Sequence, residues 1–184
     1  MTRDRSYPSP AVSGFPAPPH RFTDGQNRDI VIETIGDDPT SMASLVEMYD
    51  EFDPADRAQG IPPVRREEIE EWLELILPEG VDLVARHGDR SVGHATLVPD
   101  GSDECELAIF VHQDYRGARI GSTLLRTLLG AAAEVGIEHI WLTVERWNTV
   151  AIRLYESVGF ERTGGGSFEL EMTIRLNSQT DNTG

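Results

Sequence analysis

The sequence contains no lysine, a single cysteine and no long uninterrupted apolar run. With only Cys105 available, the chain cannot form an internal disulfide framework, and it has no cluster of thiols that would hold a metal ion. A membrane-spanning helix needs about 20 consecutive apolar residues, and a secretory signal needs an apolar core near the N-terminus. We therefore expect a soluble, cytoplasmic protein without a metal site and without membrane contact.

Negative charge dominates the chain. There are 32 acidic residues against 16 basic residues, all of which are arginine, and the formal net charge is -16. A field of this sign repels nucleic acids and anionic lipids, so neither is an expected partner. The composition resembles that of proteins from halophilic archaea, whose salt-rich cytoplasm screens such self-repulsion. An acidic mesophilic protein that lacks lysine is the alternative.

The 184 residues suffice for one domain with an apolar core. Residues 1–28 hold five of the eleven prolines and show no apolar periodicity, which predicts a flexible N-terminal tail. Residues 177–184 are polar and predict a second flexible tail. A single domain is expected over residues 29–176.

Apolar periodicity in this domain predicts alternating strands and helices. Strands are predicted over residues 30–35, 81–86, 91–98, 105–111, 139–144 and 168–176, and the second and third of these form a hairpin. Helices are predicted after Asp38-Pro39, after Pro63, and over residues 120–135 and 148–158. The order β-α-α-β-β-β-α-β-α-β, with room for one further strand, is typical of an α/β protein with a mixed sheet. Strict alternation over residues 168–176 predicts a strand with one buried face.

One segment, LAIFVHQDYRGARIGSTLL from Leu107 to Leu125, joins a buried strand to an amphipathic helix. The first turn of a helix offers unpaired N–H groups and the positive end of the helix dipole, and glycine lets a ligand approach the backbone. Arg116 and Arg119 add positive charge in an otherwise acidic chain. The pattern predicts a site for a phosphate-bearing ligand, and an ordinary connection with two surface arginines is the alternative.

This segment resembles the coenzyme A pyrophosphate loop of the GNAT N-acyltransferase superfamily. The family pattern is Arg or Gln, two residues, Gly, one residue, and Gly or Ala. Arg116 and Gly121 match it, whereas Arg119 stands where the family usually has glycine. A second stretch, VERWNTVAIRLYESVGF over residues 144–160, resembles the later motif of the same family. Its matching residues are Asn148, Ala151, Leu154, Tyr155, Gly159 and Phe160.

The resemblance covers roughly residues 30–176 and implies the GNAT fold, a mixed sheet of about six to seven strands flanked by about four helices. It also implies an N-acetyltransferase in which an amine directly attacks acetyl-coenzyme A (acetyl-CoA) within a ternary complex. Strands 105–111 and 139–144 would separate to admit this co-substrate. The residues implied to bind it are Ile109, Phe110, Val111, Arg116, Gly117, Ala118, Arg119, Ile120, Gly121, Ser122, Asn148 and Tyr155.

The resemblance further implies two catalytic residues. Tyr155 would protonate the departing thiolate, which suits a phenol because the pKa values of phenols and thiols are close. A core tyrosine on the apolar face of its helix is the alternative. Glu106 is the preferred base for the amine, with Glu104 and Glu145 as alternatives, and several relatives use no dedicated base. Trp141 and Trp147 are expected to be packing residues.

The acceptor stays open between a protein or peptide amine and a small cationic amine, which an acidic surface would attract. A non-catalytic acyl-coenzyme A sensor or regulatory module of the same fold is the alternative function, although a pure binder has no need of an acid at Tyr155. Members of the family often form dimers, and the strand predicted over residues 168–176 could pair across such a homodimer.

Overall fold

The structure is a computed structural model that describes residues 4–57 and 61–177. Within this part of the chain, eight strands form one sheet in the order β1-β2-β3-β4-β5-β6-β8-β7. Neighbouring strands are antiparallel except β5 and β6, which are parallel. The strands are β1 (His20–Thr23), β2 (Asp29–Thr34), β3 (Val81–His87), β4 (Arg90–Pro99), β5 (Glu104–Val111), β6 (His139–Glu145), β7 (Glu161–Gly165) and β8 (Glu169–Arg175). The helices are α1 (Pro39–Asp50), α2 (Arg66–Ile76), α3 (Ile120–Glu134) and α4 (Thr149–Val158).

Local sequence signals fix several helix ends, as predicted. Asp38 caps α1 by accepting a hydrogen bond from the Ser41 amide at 3.0 Å, and Pro39 occupies the first turn. Asn148 caps α4 in the same way, accepting from the Ala151 amide at 3.2 Å. At the other end of α4, Gly159 has a φ of 115°, a left-handed conformation that glycine adopts without strain.

Two apolar layers lie on opposite faces of the sheet. One contains buried residues of α3 and α4 together with Leu107 of β5, and the other contains those of α1 and α2. Phe110 of β5 packs against the second layer, since neighbouring residues of a strand face opposite sides. Within residues 4–57 and 61–177, no helix is both long enough and apolar enough to cross a bilayer.

The N-terminal segment contacts the domain, in contrast to the predicted tail over residues 1–28. His20–Thr23 form the edge strand β1, which pairs with β2, so the expectation of a segment without regular structure is wrong there. Further upstream, the Val12 amide donates to the Arg175 carbonyl at 2.8 Å. The carbonyl oxygen of Pro16 lies 1.9 Å from where a Cβ on Gly130 would stand, which explains a glycine in the middle of α3. Strand β1 has only four residues, which is too short to show the apolar alternation from which a strand is predicted. Of the predicted C-terminal tail, residues 178–184 lie outside the described part of the chain.

Strand β8 is covered on both faces and paired on both edges. Glu171 and Thr173 lie on the face that the alternation leaves polar and therefore predicts to be exposed, but they are buried because N-terminal residues lie over them. The Arg5 Nε atom lies 3.3 Å from Glu171 Oε2, and the Thr173 hydroxyl donates to the Ser6 carbonyl at 2.8 Å. Because β6 and β7 flank β8, this strand has no free edge for pairing across a dimer, and that prediction was wrong. Strand β7 precedes β8, whereas the sequence left room for a further strand after β8. With β1 and β7, the sheet has eight strands rather than the implied six to seven.

Candidate active site

Strands β5 and β6 separate at the centre of the sheet. Their parallel pairing is confined to Glu104–Glu106 and His139–Trp141, although β5 continues to Val111 and β6 to Glu145. Beyond the last pair, the two strands border a cavity of about 210 Å³, referred to below as the cleft. The predicted separation of these strands is therefore confirmed.

The cleft is lined by the open part of β5, the end of β6 and the first two turns of α4. Its lining residues are Ile61, Glu106, Leu107, Ala108, Ile109, Phe110, Thr143, Val144, Glu145, Asn148, Ala151, Tyr155 and Glu169. Five residues of the predicted site thus meet here: Glu106, Ile109, Phe110, Asn148 and Tyr155. The predicted residues from Val111 to Ser122 are not part of this lining and lie at and beyond the end of β5.

Peptide groups of β5 face the cleft without a strand partner. The His112 amide donates to the Val92 carbonyl of β4 at 2.9 Å. Because successive peptide groups of a strand point to alternate edges, the amides of Ile109 and Val111 point away from β4 and toward the cleft. Strand β6 has already diverged at this level, so these amides can donate to an extended ligand that carries carbonyl groups.

Tyr155 contributes a buried phenol to the cleft wall. Only 9% of the residue is exposed, and its ring packs edge-on against Phe160 with 5.7 Å between the centroids. Burial raises the pKa of Tyr155 to about 12, because the apolar surroundings disfavour the charged phenolate. No described residue forms a hydrogen bond with its hydroxyl. A phenol held neutral in this way can donate its proton to a ligand in the cleft.

Carboxylates line the opposite wall of the cleft. Burial raises the pKa of Glu106, and the nearby Arg5 partly offsets this shift. Glu145 lines the cleft as well. Glu104, the other alternative base, instead forms an ion pair with Arg5, whose NH1 atom lies 2.5 Å from Glu104 Oε2. Of the three candidate bases, Glu106 and Glu145 therefore face the cleft, and Glu104 does not line it.

The connection from β5 to α3 has the backbone of an anion site. Helix α3 begins at Ile120 without a side-chain cap, and the first intrahelical bond runs from the Thr123 amide to the Arg119 carbonyl at 3.2 Å. The amides of Ile120, Gly121 and Ser122 are therefore left without intrahelical acceptors. Such a helix end attracts negative charge through its free N–H groups and its dipole.

Arg119 has a left-handed backbone, with a φ of 68°. This conformation costs a residue with a side chain roughly 1–2 kcal/mol, and it is the one that the glycine of the family pattern would adopt freely. Gly117 is also left-handed, with a φ of 70°. The loop therefore keeps a glycine-type backbone at position 119 although the residue is arginine.

The two arginines of the loop differ in their surroundings. Arg116 folds back onto the protein: its Nε donates to the Val111 carbonyl at 3.0 Å, and NH1 lies 2.7 Å from Asp56 Oδ1. The Arg119 side chain is exposed and forms no ion pair with any described residue. Arg119 thus carries the uncompensated positive charge beside the N-terminus of α3.

The turn between β1 and β2 contacts the loop before α3 and supports it. The sequence did not predict this contact. The Gly25 amide donates to the carbonyl of buried Ala118 at 3.0 Å. The Arg28 guanidinium lies 4.0 Å from the centroid of the Tyr115 ring, and its NH1 donates to the Asp114 carbonyl at 3.3 Å. Because Gly25 and Arg28 fall in the predicted N-terminal tail, no local sequence signal could reveal their contact with the loop.

Aromatic side chains of α1 and α2 pack behind the cleft. The Phe110 ring contacts those of Tyr49 and Trp72 with centroid distances of 5.5 and 5.9 Å, both edge-on. Trp141 packs as predicted, with the Arg5 guanidinium 3.7 Å above its ring. Trp147 is 63% exposed, so its predicted packing role is wrong. In residues 4–57 and 61–177, no group of three or more His, Cys, Asp or Glu side chains is arranged to hold a metal ion.

Comparison with known proteins supports the resemblance. The model of the acetyltransferase (GNAT) family matches residues 43–160, which include both motifs. An uncharacterized N-acetyltransferase of Mycobacterium tuberculosis is 33% identical over 94 residues, which are 50% of this chain and 60% of the relative. The chain thus spans less than two thirds of that relative's length.

Two further proteins are similar over part or most of the chain. The ribosomal protein bS18-alanine N-acetyltransferase of Escherichia coli is 38% identical over 76 residues, which are 41% of this chain and 45% of that protein. A solved structure of a putative acetyltransferase from Salmonella typhimurium with its cofactor acetyl-CoA matches with a TM-score of 0.65 and 22% identity. That match covers 82% of this chain and 96% of the solved chain. On the family match, which spans more than half of its residues, the chain belongs to the acetyltransferase (GNAT) family.

Proposed function

We propose that the protein transfers the acetyl group of acetyl-coenzyme A to a primary amine within the cleft. The observation that carries this proposal is the meeting of Tyr155 and Glu106 at the place where β5 and β6 separate. One residue is a phenol kept protonated by burial, and the other is a carboxylate whose pKa is raised. The relatives named as N-acetyltransferases and the family membership support the same reaction.

The protein offers matching groups for two parts of coenzyme A, the pyrophosphate and the pantetheine arm. The free amides at the start of α3 and the exposed Arg119 would bind the pyrophosphate. The amides of Ile109 and Val111 would pair with the carbonyl groups of the pantetheine arm, which is extended and contains amides. Arg116 would act on the ligand indirectly, because its side chain is engaged with Asp56 and Val111.

Residues of the cleft would accept the proton that the amine loses and supply the proton that the leaving thiolate gains. Acetyl-coenzyme A supplies an activated thioester, and the amine nitrogen forms a bond with its carbonyl carbon as the carbon–sulfur bond breaks. An amide of β5 would stabilise the negative charge that develops on the carbonyl oxygen. Glu106, or Glu145 beside it, would accept the proton that the amine loses, and Tyr155 would donate a proton to the departing thiolate.

The acceptor is a cationic amine in this proposal. Glu106, Glu145 and Glu169 line the cleft, and no arginine or histidine is among its lining residues in the described part of the chain. Coulomb attraction to these carboxylates would concentrate ammonium groups at the cleft. The Escherichia coli relative is named for a ribosomal protein alanine, which supports the α-amine of a protein as one acceptor beside small amines.

The proposal is tested by incubating the protein with acetyl-coenzyme A and a panel of amines while the release of free thiol is followed. The panel contains a peptide with an N-terminal alanine, a peptide with an internal lysine, and spermidine. Amine-dependent thiol release and an acetylated product in the mass spectrum would support the proposal. Tight binding of coenzyme A without turnover of any amine would instead indicate a non-catalytic sensor of the same fold.

A further inference from the structure

A second and larger cavity lies at the base of helices α1 and α2. It has a volume of about 600 Å³ and is lined by residues 34–39, Met42, Glu74, residues 77–78 and residues 80–82. We refer to it as the base cavity. Residues at the start of α1 and the end of α2 line it, whereas Ile61, from the connection between these helices, lines the cleft. No described residue lines both cavities. Asp82 of the base cavity pairs with Thr96 of β4, which pairs with Ala108 of the cleft, so the two cavities lie two strands, or about 10 Å, apart across the sheet.

The lining of the base cavity combines carboxylates with apolar side chains. Asp37, Asp38, Glu74 and Asp82 line it, together with Ile35, Met42, Leu77 and Val81. No arginine, histidine or lysine is among the lining residues. Asp38 is already engaged with Ser41 as the cap of α1, through both of its oxygens. The negative charges of the other three carboxylates have no cationic neighbour in the cavity wall.

Asp82 is the buried member of this group. Only 9% of the residue is exposed, and its Oδ1 lies 2.8 Å from His94 Nε2. The other ring nitrogen of His94 lies 2.5 Å from the Tyr49 hydroxyl, so the histidine is held on both sides. Asp82 Oδ2 is buried and has no hydrogen-bond partner. A buried carboxylate oxygen without a donor is unfavourable, and a ligand that supplies an N–H group would remove this deficit.

We propose that the base cavity binds an aliphatic diamine. One ammonium group donates to Asp82 Oδ2 after a small rotation of the Asp82 side chain exposes this buried oxygen to the cavity. The alkyl chain lies along Met42 and Leu77, and the second ammonium group reaches Glu74 or Asp37 at the mouth. The apolar walls favour an alkyl chain over an inorganic cation, and the described residues form no cluster of three or more metal-ligating side chains here. This site would act independently of acetyl transfer in the cleft.

The experiment is a calorimetric titration of the full chain with 1,4-diaminobutane, without acetyl-coenzyme A. Asp82→Asn removes the buried charge but keeps an acceptor for His94, and Glu74→Gln changes an exposed residue at the mouth. Glu134→Gln at the end of α3 is the matched control, because it removes the same charge from an exposed residue that lines neither cavity. We expect roughly tenfold weaker binding for Asp82→Asn, a smaller loss for Glu74→Gln, and a change of less than about twofold for Glu134→Gln.

Three results would overturn the proposal. Unchanged binding in both Asp82→Asn and Glu74→Gln would exclude the base cavity. A loss in Glu134→Gln as large as that in Asp82→Asn would show that the diamine binds the acidic surface without a preferred site. Complete displacement by Mg²⁺ at equal ionic strength would show general attraction to an acidic protein. Circular dichroism verifies the fold of Asp82→Asn, and Glu74→Gln keeps the test valid if that variant does not fold.

Discussion

Replacing Tyr155 with phenylalanine should abolish most of the turnover without weakening the fold. The hydroxyl has no hydrogen-bond partner among the described residues, and the ring that packs on Phe160 is retained. No hydrogen bond is lost, so the free energy of unfolding should change by less than about 0.5 kcal/mol. Removal of a general acid should lower kcat by about 10²- to 10⁴-fold, which corresponds to about 3–5 kcal/mol in the activation barrier.

The pH dependence of the rate tests the same role of Tyr155. Burial raises the pKa of Tyr155 to about 12, so the phenol stays protonated at every pH below that value. The rate of the wild-type protein should therefore not fall between pH 8 and about 10, where an ordinary tyrosine would begin to ionise. Thiol release at saturating acetyl-coenzyme A measures kcat, and calorimetry measures the affinity for coenzyme A.

Tyr115→Phe is the matched control for Tyr155→Phe. The Tyr115 hydroxyl hydrogen-bonds His87 Nδ1 at 2.8 Å, and the residue is buried beside the loop but does not line the cleft. This control should lose about 1 kcal/mol of stability and keep its kcat, the reverse of the pattern expected for Tyr155→Phe. If Tyr155→Phe keeps kcat within about threefold of the wild type, Tyr155 is not the general acid, because removal of a general acid should lower kcat by at least about 10²-fold.

Further predictions for four variants concern the cleft, the loop and the N-terminal segment. A base must be deprotonated, and burial raises the pKa of Glu106. The rate should therefore rise with pH at values above those at which an ordinary glutamate loses its proton, and Glu106→Gln should remove this rise. Arg119→Gly should raise the unfolding free energy by up to about 1 kcal/mol by relieving the left-handed strain, partly offset by a more flexible unfolded chain; chemical denaturation measures this. The same variant should weaken coenzyme A binding roughly tenfold, by calorimetry, if the guanidinium contacts a phosphate. Arg5→Ala should lower the unfolding free energy by about 1 kcal/mol in urea, because Glu104 and Glu171 lose a partly buried cation. Gly130→Ala should increase proteolysis of the N-terminal segment, since its methyl group would collide with the Pro16 carbonyl.

The parts of the fold that could be predicted from the sequence depend on local signals. Asp38 and Asn148 stand directly before their helices, and Gly159 follows one, because caps satisfy backbone groups within a few residues. The hairpin of β3 and β4 also depends on a short turn between periodic strands. The edge strand β1 has four residues and β7 has five, so neither shows enough alternation to be identified reliably.

The candidate site was predictable as a set of positions but not as a set of contacts. The two motifs pointed to Asn148 and Tyr155, which both line the cleft, and to the loop before α3, since each motif combines a fixed spacing with a helix start. The sequence could not show that Arg116 is engaged with Asp56, because that ion pair joins residues 60 positions apart. The burial of β8 under residues near Arg5 likewise depends on contacts more than 160 positions apart.

The central claim is that the cleft and the start of α3 together bind coenzyme A. Thermal unfolding in molar salt tests this most directly, with acetyl-coenzyme A, coenzyme A or ATP at one shared concentration of about 100 times the dissociation constant of acetyl-coenzyme A. Binding at that level adds about 2.7 kcal/mol, which should raise Tm by about 5–10 °C for a chain of this size. Both coenzyme A species should give such a shift and ATP a smaller one. No shift at saturating acetyl-coenzyme A would contradict the claim, and an equal shift with ATP would show that only the phosphate end of the site binds.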